Sequence, residues 1–235
     1  MWRWARQRTA GREARRGGAA PWPVRLTGVT PTGLEIVLDP LVAEDEEVFL
    51  AVRRADESWL SPWDATSPDP DAPARTFAEI VSTAERDARL GLSLPVAIRV
   101  RGQLVGLLTI GPIILGSFRS GAAGYWVSRS VAGQGIMPTA LALAGDHAFT
   151  ELGLHRLEVN IRPENAASLA VVRKLRFREE GLRRKLLHID HAWRDHLSFA
   201  LTVEDLDGQS LRSRLNQSSH EPLPRHTEPG AASGR

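Results

Sequence analysis

The chain contains no cysteine in its 235 residues. That excludes disulfides, thiolate zinc sites and a cysteine nucleophile. Tyrosine occurs once, as Tyr125. No apolar run reaches the ~18 residues needed to cross a bilayer, so no membrane partner is expected. Internal repeats are also missing. The basic start MWRWARQRTAGREARR runs into Gly17-Gly18-Ala19-Ala20-Pro21, where a secretion signal would need an apolar segment. These absences fit a cytoplasmic protein, which is the expected location. What is present is an apolar fraction of 42%, enough for one ordinary domain with a buried core.

Charge is unevenly placed. Residues 1–25 carry seven Arg and one Glu, and residues 207–235 carry four Arg and three acids. With a net charge of +2 for the whole chain, residues 26–206 are left at −5 by difference. The high isoelectric point therefore describes the ends and not the centre. The basic head has two readings, a contact for the ribosome or RNA and a disordered leader. The expected organisation is a disordered basic leader over 1–22, a folded domain over 23–206 and a disordered polar tail over 207–235.

Alternation and turn residues predict strands at 24–29 and 34–38 across Pro31-Thr32-Gly33. A helix with an acidic first turn is predicted at 42–55, a Pro- and Asp-rich loop with Trp59 and Trp63 at 59–73, and a helix at 74–90. Three strands follow at 94–100, 104–114 and 122–128. A helix begins near Ile136, with Pro138 harmless in its first turn. Then come a strand at 155–161, a helix capped by Asn165, and strands at 182–189 and 193–203. The order is β-β-α-α-β-β-β-α-β-α-β-β. It predicts a mixed α/β (α+β) fold with a mostly antiparallel sheet of six to seven strands and helices on both faces.

The segment Ser130-Val131-Ala132-Gly133-Gln134-Gly135 lies between Tyr125-Trp126-Val127 and the helix at Ile136. A glycine loop that opens a helix gathers backbone N–H groups around one point and suits a phosphate or pyrophosphate. Behind it run His155-Arg156-Leu157-Glu158-Val159-Asn160-Ile161-Arg162-Pro163-Glu164-Asn165-Ala166-Ala167-Ser168, then Leu175-Arg176-Phe177 and Glu180-Gly181. Period-2 alternation puts Glu158, Asn160 and Arg162 on one face of their strand. His188 and His191 flank Asp190 across a turn, and this pattern predicts a solvated hairpin and no metal site.

Over residues 24–206 these motifs resemble the GCN5-related N-acetyltransferase (GNAT) superfamily. Within it they resemble the branch that acetylates N-termini of ribosomal proteins, the RimJ type, to which Trp193-Arg194-Asp195-His196 is also similar. The resemblance implies an enzyme with that fold and acetyl-CoA as co-substrate. It implies a pyrophosphate cradle on Val131, Ala132, Gly133, Gln134, Gly135 and Ile136, and a carbonyl-binding N–H near Trp126, Val127 or Ser128. Asn160 would orient cofactor or substrate, and Asn165 would bind cofactor or merely cap its helix. Ser168 would protonate the leaving sulfur or merely add a polar group to the first turn. Glu158 reads either as the base or as a surface carboxylate paired with an arginine. Tyr125 reads as a packing residue or as part of the site wall, and Trp59 and Trp63 as a substrate clamp or lid packing. Two positions depart from the family pattern: Ser130, where Arg or Gln is usual, and Arg176, where Gly is usual. The implied acceptor is the N-terminal alanine of a ribosomal protein of the S5 type. The alternatives are a small amine such as an aminoglycoside or polyamine, and a non-catalytic acetyl-CoA- or ribosome-binding factor.

Overall fold

The computed structural model describes residues 22–218. Residues 1–21 of the expected leader, with all of its arginines, and residues 219–235 of the expected tail lie outside the described residues. Eight strands are formed: β1 (Leu26–Val29), β2 (Glu35–Asp39), β3 (Leu94–Val100), β4 (Gln103–Ile110), β5 (Ser120–Val127), β6 (Arg156–Ile161), β7 (Arg178–Ile189) and β8 (Ala192–Thr202). All of them join one sheet in the order β1-β2-β3-β4-β5-β6-β8-β7. All eight strands read from the sequence are present and all join the sheet, one or two more than the six to seven expected in it, and the class is as expected. Every neighbouring pair is antiparallel except β5 and β6.

The helices are α1 (Glu46–Ala55), α2 (Glu57–Leu60), α3 (Phe77–Arg89), α4 (Ile136–Thr150), α5 (Ala166–Lys174) and α6 (Leu211–Ser218). They divide between the two faces of the sheet. Phe49 of α1 and Phe77 of α3 pack on one face with Ala97, Leu104, Leu107 and Trp126. On the other, α4 lies in the main core with α5, α6, Leu108, Leu157, Val159 and Phe199. Buried residues cover every side of α4, from Ile136 through Gly145 and on to Ala148. A helix apolar all round has to be covered all round, and α5, α6 and the sheet supply that cover.

The cover from α6 corrects the expected tail over 207–235. Its segment Leu-Arg-Ser-Arg-Leu-Asn-Gln-Ser is too polar to announce a helix. Two leucines four residues apart suffice, because Leu211 and Leu215 are both buried against α4. A side chain at Gly145 would not fit, since its Cβ would lie 2.5 Å from Leu211 Cδ1. Asp146 caps α6 by accepting the Leu211 N–H at 2.7 Å and the Arg212 N–H at 3.3 Å. A second difference concerns the expected loop over 59–73, whose start is helical: α2 is followed by a 3-10 turn at Ser61–Trp63.

The feature that positions the site is in the middle of the sheet. The parallel pair β5–β6 is joined only at Ser120↔Arg156, Gly121↔Leu157 and Ala122↔Glu158. Beyond Ala122, β5 stays with β4 as far as Val127, and β6 stays with β8 as far as Ile161. The two strands therefore diverge and leave a wedge-shaped gap. A bulge in β4 accompanies the divergence, because Ile98 pairs with Gly106 but Arg99 pairs with Leu104. Gly106 lets β5 approach there; a Cβ on it would lie 2.4 Å from the Trp126 carbonyl oxygen.

A Leu211→Ala variant is expected to lose about 2–5 kcal/mol of stability, the usual range for emptying a buried leucine site. Urea unfolding of the full chain checks this. An unchanged midpoint would show that α6 is not part of the folded domain.

Candidate active site

The glycine loop closes one end of the gap. Ser128 ends β5, donating its N–H to the Val105 carbonyl at 2.7 Å. A single 3-10 turn, Arg129–Val131, follows. In it the Val131 N–H donates to the Ser128 carbonyl and the Ala132 N–H to the Arg129 carbonyl, both at 3.2 Å. Ser128, Val131 and Ala132 were expected to present amides to a ligand, and all three amides are engaged within the protein. Gly133 at φ +79° and Gly135 at φ +78° then turn the chain into α4, a conformation other residues adopt only with strain. The amides of Gly133, Gln134, Gly135, Ile136 and Met137 have no hydrogen-bond partner among the described residues. They form the cradle, at the positive end of a helix 15 residues long.

The loop is anchored on both sides. Asp56, buried after α1, accepts the Arg129 N–H at 3.0 Å. Thr32, in the turn between β1 and β2, donates to the Gln134 carbonyl at 3.1 Å. Ser130, one of the two departures from the family pattern, bonds to the Ser128 hydroxyl at 2.8 Å, so its side chain serves the turn.

Successive amides of a strand point to opposite edges. The Ser128 N–H faces β4, so the backbone of Val127 faces the gap. Its carbonyl there accepts the Trp59 indole N–H at 3.2 Å. Of the three expected carbonyl-binding positions, Val127 is thus the one aimed into the opening.

Two hydroxyls meet on the α4 side of the gap. Tyr125 projects to that side and packs against the main core. Its hydroxyl is the sole sealed polar side-chain atom without a hydrogen-bond partner among the described residues. Burial pushes the phenol above its ordinary range, and the neighbouring Ser168 hydroxyl pulls slightly the other way. The two groups thus sense each other without reaching hydrogen-bond geometry. Ser168 is held in the first turn of α5, where Asn165 Oδ1 accepts its N–H at 3.0 Å. Asn165 is therefore the helix cap, as its position in the sequence suggested.

A second group of side chains lines the opposite face, beside α1 and α2. Asn160 accepts a hydrogen bond from Ser198 at 2.6 Å. Arg162 donates to the Pro62 carbonyl at 2.7 Å and lies over the Trp63 ring, 5.3 Å from its centroid. Trp59 and Trp63 are accordingly pinned at the mouth of the gap, one by a strand carbonyl and the other by a guanidinium. His196 of β8 is buried, and its Nδ1 meets the Arg194 carbonyl at 3.0 Å. Sequence reading noted this histidine only as part of a family likeness, because a lone histidine in a strand carries no signal of its own.

Glu158 shares the face but is not free. One carboxylate oxygen accepts from Arg156 at 2.8 Å and the other from Arg183 at 3.2 Å. Arg156 also pairs with Glu180, whose carboxyl it holds down to about 2 with help from Arg178. Of the two readings for Glu158, the structure supports the paired carboxylate over the base. Arg176 resolves the other departure. It adopts φ +58° and closes α5 with its N–H on the Arg173 carbonyl, while the Phe177 N–H bonds to the Val172 carbonyl, both at 3.0 Å. His188 meets the Thr66 hydroxyl at 2.8 Å, and the described residues contain no cluster suited to a metal ion. A surface concavity of about 780 Å³ lies elsewhere, between the segment leading into β1, the ends of β2 and β3, and α3. Its charged groups neutralise one another through Arg25–Asp39, Arg99–Asp39 and Arg99–Asp45 pairs. That leaves no uncompensated charge for a ligand, and the gap between β5 and β6 is the better candidate.

A sheet opened between two parallel strands, with an amide cradle at a helix start, defines an acyltransferase architecture. Residues 35–178 match the family described as "Acetyltransferase (GNAT) domain". The chain belongs to that family and is an N-acetyltransferase. It is 29% identical over 177 residues to the probable N-acetyltransferase YjcK of Bacillus subtilis, covering 74% of this chain and 97% of that one. It is 32% identical over 103 residues to the ribosomal protein uS5-alanine N-acetyltransferase of Escherichia coli, covering 44% of this chain and 53% of that enzyme. A solved structure, Mycobacterium smegmatis RimJ in complex with CoA-disulfide, is 39% identical, with a TM-score of 0.78 over 84% of this chain and 95% of that one. No helix among the described residues is long and apolar enough to cross a membrane.

A Glu158→Gln variant is expected to lose about 1 kcal/mol of stability, because Arg183 loses its carboxylate while Arg156 keeps Glu180. The pH dependence of its acetyl transfer should stay that of the parent. Loss of the acid limb of that profile would restore Glu158 as the base.

Proposed function

We propose that the chain transfers the acetyl group of acetyl-CoA to the α-amino group of a protein N-terminus, with a ribosomal protein beginning in alanine as the leading acceptor. The observation that carries this reading is the gap itself. Unpaired strand edges, a free amide cradle and two hydroxyls lie along one path, and an aromatic-rimmed opening enters from the other face. The likeness to a RimJ that holds CoA and to a uS5-alanine enzyme supports both the co-substrate and the acceptor class.

The residues fit coenzyme A. Gly133 to Met137 would hold the pyrophosphate, and the exposed edge of β5 would pair with the pantetheine amides as an added strand does. The thioester supplies the activated acetyl group. The Val127 N–H would donate to its carbonyl oxygen as negative charge develops there, the electrostatic contribution that lowers the barrier most in acyl transfer. Tyr125 and Ser168 would face the sulfur from the α5 side. Burial keeps the phenol protonated, so it acts as a hydrogen-bond donor, while Ser168, half-buried and capped into place, supplies the proton. Asn160, oriented by Ser198, would hold the incoming amine on the opposite face. The −5 charge of residues 26–206 suits a basic ribosomal N-terminus and equally suits a polycationic small amine. The pinned tryptophans and the relatives above favour the peptide. A non-catalytic role is disfavoured because the family is an acetyltransferase family.

Mass spectrometry of ribosomal-protein N-termini with and without the gene tests the acceptor. Without the gene, one alanine-initiated protein is expected to be lighter by about 42 Da, the net mass gained when an acetyl group replaces an amine hydrogen. A profile that stays the same would remove ribosomal proteins as the acceptor. Ser168→Ala is expected to lower kcat about 10²-fold with acetyl-CoA and far less with an acetyl thioester of a more acidic thiol, which departs without a proton. Equal losses with both donors would mean that Ser168 does not act on the leaving group.

A further inference from the structure

We infer that His196 is the base that takes the proton from the incoming ammonium group. The inference rests on the proposed acetyl transfer and supplies the part that Glu158 does not. A backbone carbonyl can only accept, so Nδ1, at 3.0 Å from the Arg194 carbonyl, must carry a hydrogen. In the neutral ring Nε2 is then a bare lone pair.

No hydrogen bond reaches Nε2 among the described residues, although the residue as a whole is only 2% exposed. The Tyr125 hydroxyl is the sole sealed polar atom without a partner. Nε2, also without a partner, therefore opens onto accessible space. A histidine buried only for packing would be expected to satisfy both nitrogens.

Its place in the sheet points the same way. Asn160 pairs with Ser198 and Ile161 with Leu197 across β6 and β8. One step on, the register sets His196 beside Arg162, on the face that carries Asn160 and the pinned tryptophans. The charged groups around the ring are Arg162 and Glu164 from the turn after β6, Arg183 opposite on β7, and Arg194 and Asp195 on its own strand. Burial holds the imidazole below its ordinary value. Arg162 adds to that effect, and the Arg194 carbonyl, Asp195 and Glu164 oppose it. The ring is thus neutral at pH 7.

The step balances as follows. Nε2 takes one proton from R–NH₃⁺, giving imidazolium and a free amine. The amine lone pair forms the C–N bond to the acetyl carbon, and the C–S bond breaks with its electron pair on sulfur. The second amine proton ends on the thiol by way of Ser168, and the imidazolium releases its proton to solvent. An α-ammonium has a pKa of about 7.7–8.0 and an alkylammonium about 10.4, against about 6.5 for an ordinary imidazole. Transfer to such a ring is uphill roughly tenfold or more for the first and roughly 10⁴-fold or more for the second.

The test uses His196→Asn in the full chain, because asparagine keeps a donor for the Arg194 carbonyl and removes Nε2. The probes are acetyl-CoA and a synthetic alanine-initiated peptide. At pH 7, kcat/KM is expected to fall about 10²- to 10³-fold. The deficit should shrink as pH rises and the peptide ammonium loses its proton to solvent unaided, while CoA affinity stays unchanged. A rate within threefold of the parent, or a deficit that does not vary with pH, overturns the inference. If the parent chain acetylates no N-terminal peptide, the proposed function fails and the ring itself decides the inference. Nitrogen NMR of the unliganded protein must show Nδ1–H and a bare Nε2 at pH 7, and a charged ring or an Nε2–H form overturns it.

Discussion

The divergence of β5 from β6 after three paired residues is the constraint on which the rest of the structure depends. Sheets normally avoid unpaired strand edges, because each edge is a row of unsatisfied donors and acceptors. Here two such edges open in the middle of an eight-stranded sheet. The cost is sustained by what holds each half together. β5 is bound to β4 through the bulge at Val105 and the close approach at Gly106, and β6 is bound to β8 along its whole length. An extended ligand with its own amides is the natural complement to those edges.

Because the gap passes through the sheet, it has two faces with different chemistry. The α4 side is dry and holds Tyr125 and Ser168 close to the core. The α1–α2 side is rimmed by Trp59, Trp63, Arg162, Asn160 and His196, and it opens outward. A thiolate leaves more easily toward hydroxyl donors, and an ammonium loses its proton more easily to a neutral nitrogen that no neighbour occupies. In the proposed reaction this separation would keep the proton donor and the proton acceptor from neutralising each other, with the acetyl carbon between them.

Much of this was legible in the chain. Pro138 in the first turn, Asn165 ahead of α5 and the paired glycines of the loop each act through local backbone geometry, and each sits as read. What could not be read depends on distant partners. The polar segment of α6 folds because α4 needs covering at Gly145. Val131 and Ala132 look like cradle amides until the 3-10 turn engages them. Glu158 has the right face for a base, and only the fold shows that Arg156, on its own strand, and Arg183, on the far side of β8, both hold its carboxylate. Tyr125 reads as packing until its hydroxyl is found sealed beside Ser168.

The sequence alone determined the acetyltransferase family, the order of elements, the glycine-loop cradle at the head of α4 and the basic ends flanking an acidic centre. The order, the loop and the charge follow from periodicity, turn chemistry and composition, all local properties of a chain, and the family from the likeness of its motifs to known acetyltransferases. Only the tertiary structure decided where the sheet opens, which amides remain free, which carboxylate is paired and which nitrogen is exposed. Such properties depend on which groups meet across the sheet, and residues as far apart as Trp59 and Val127, or Arg162 and His196, meet only once it has formed.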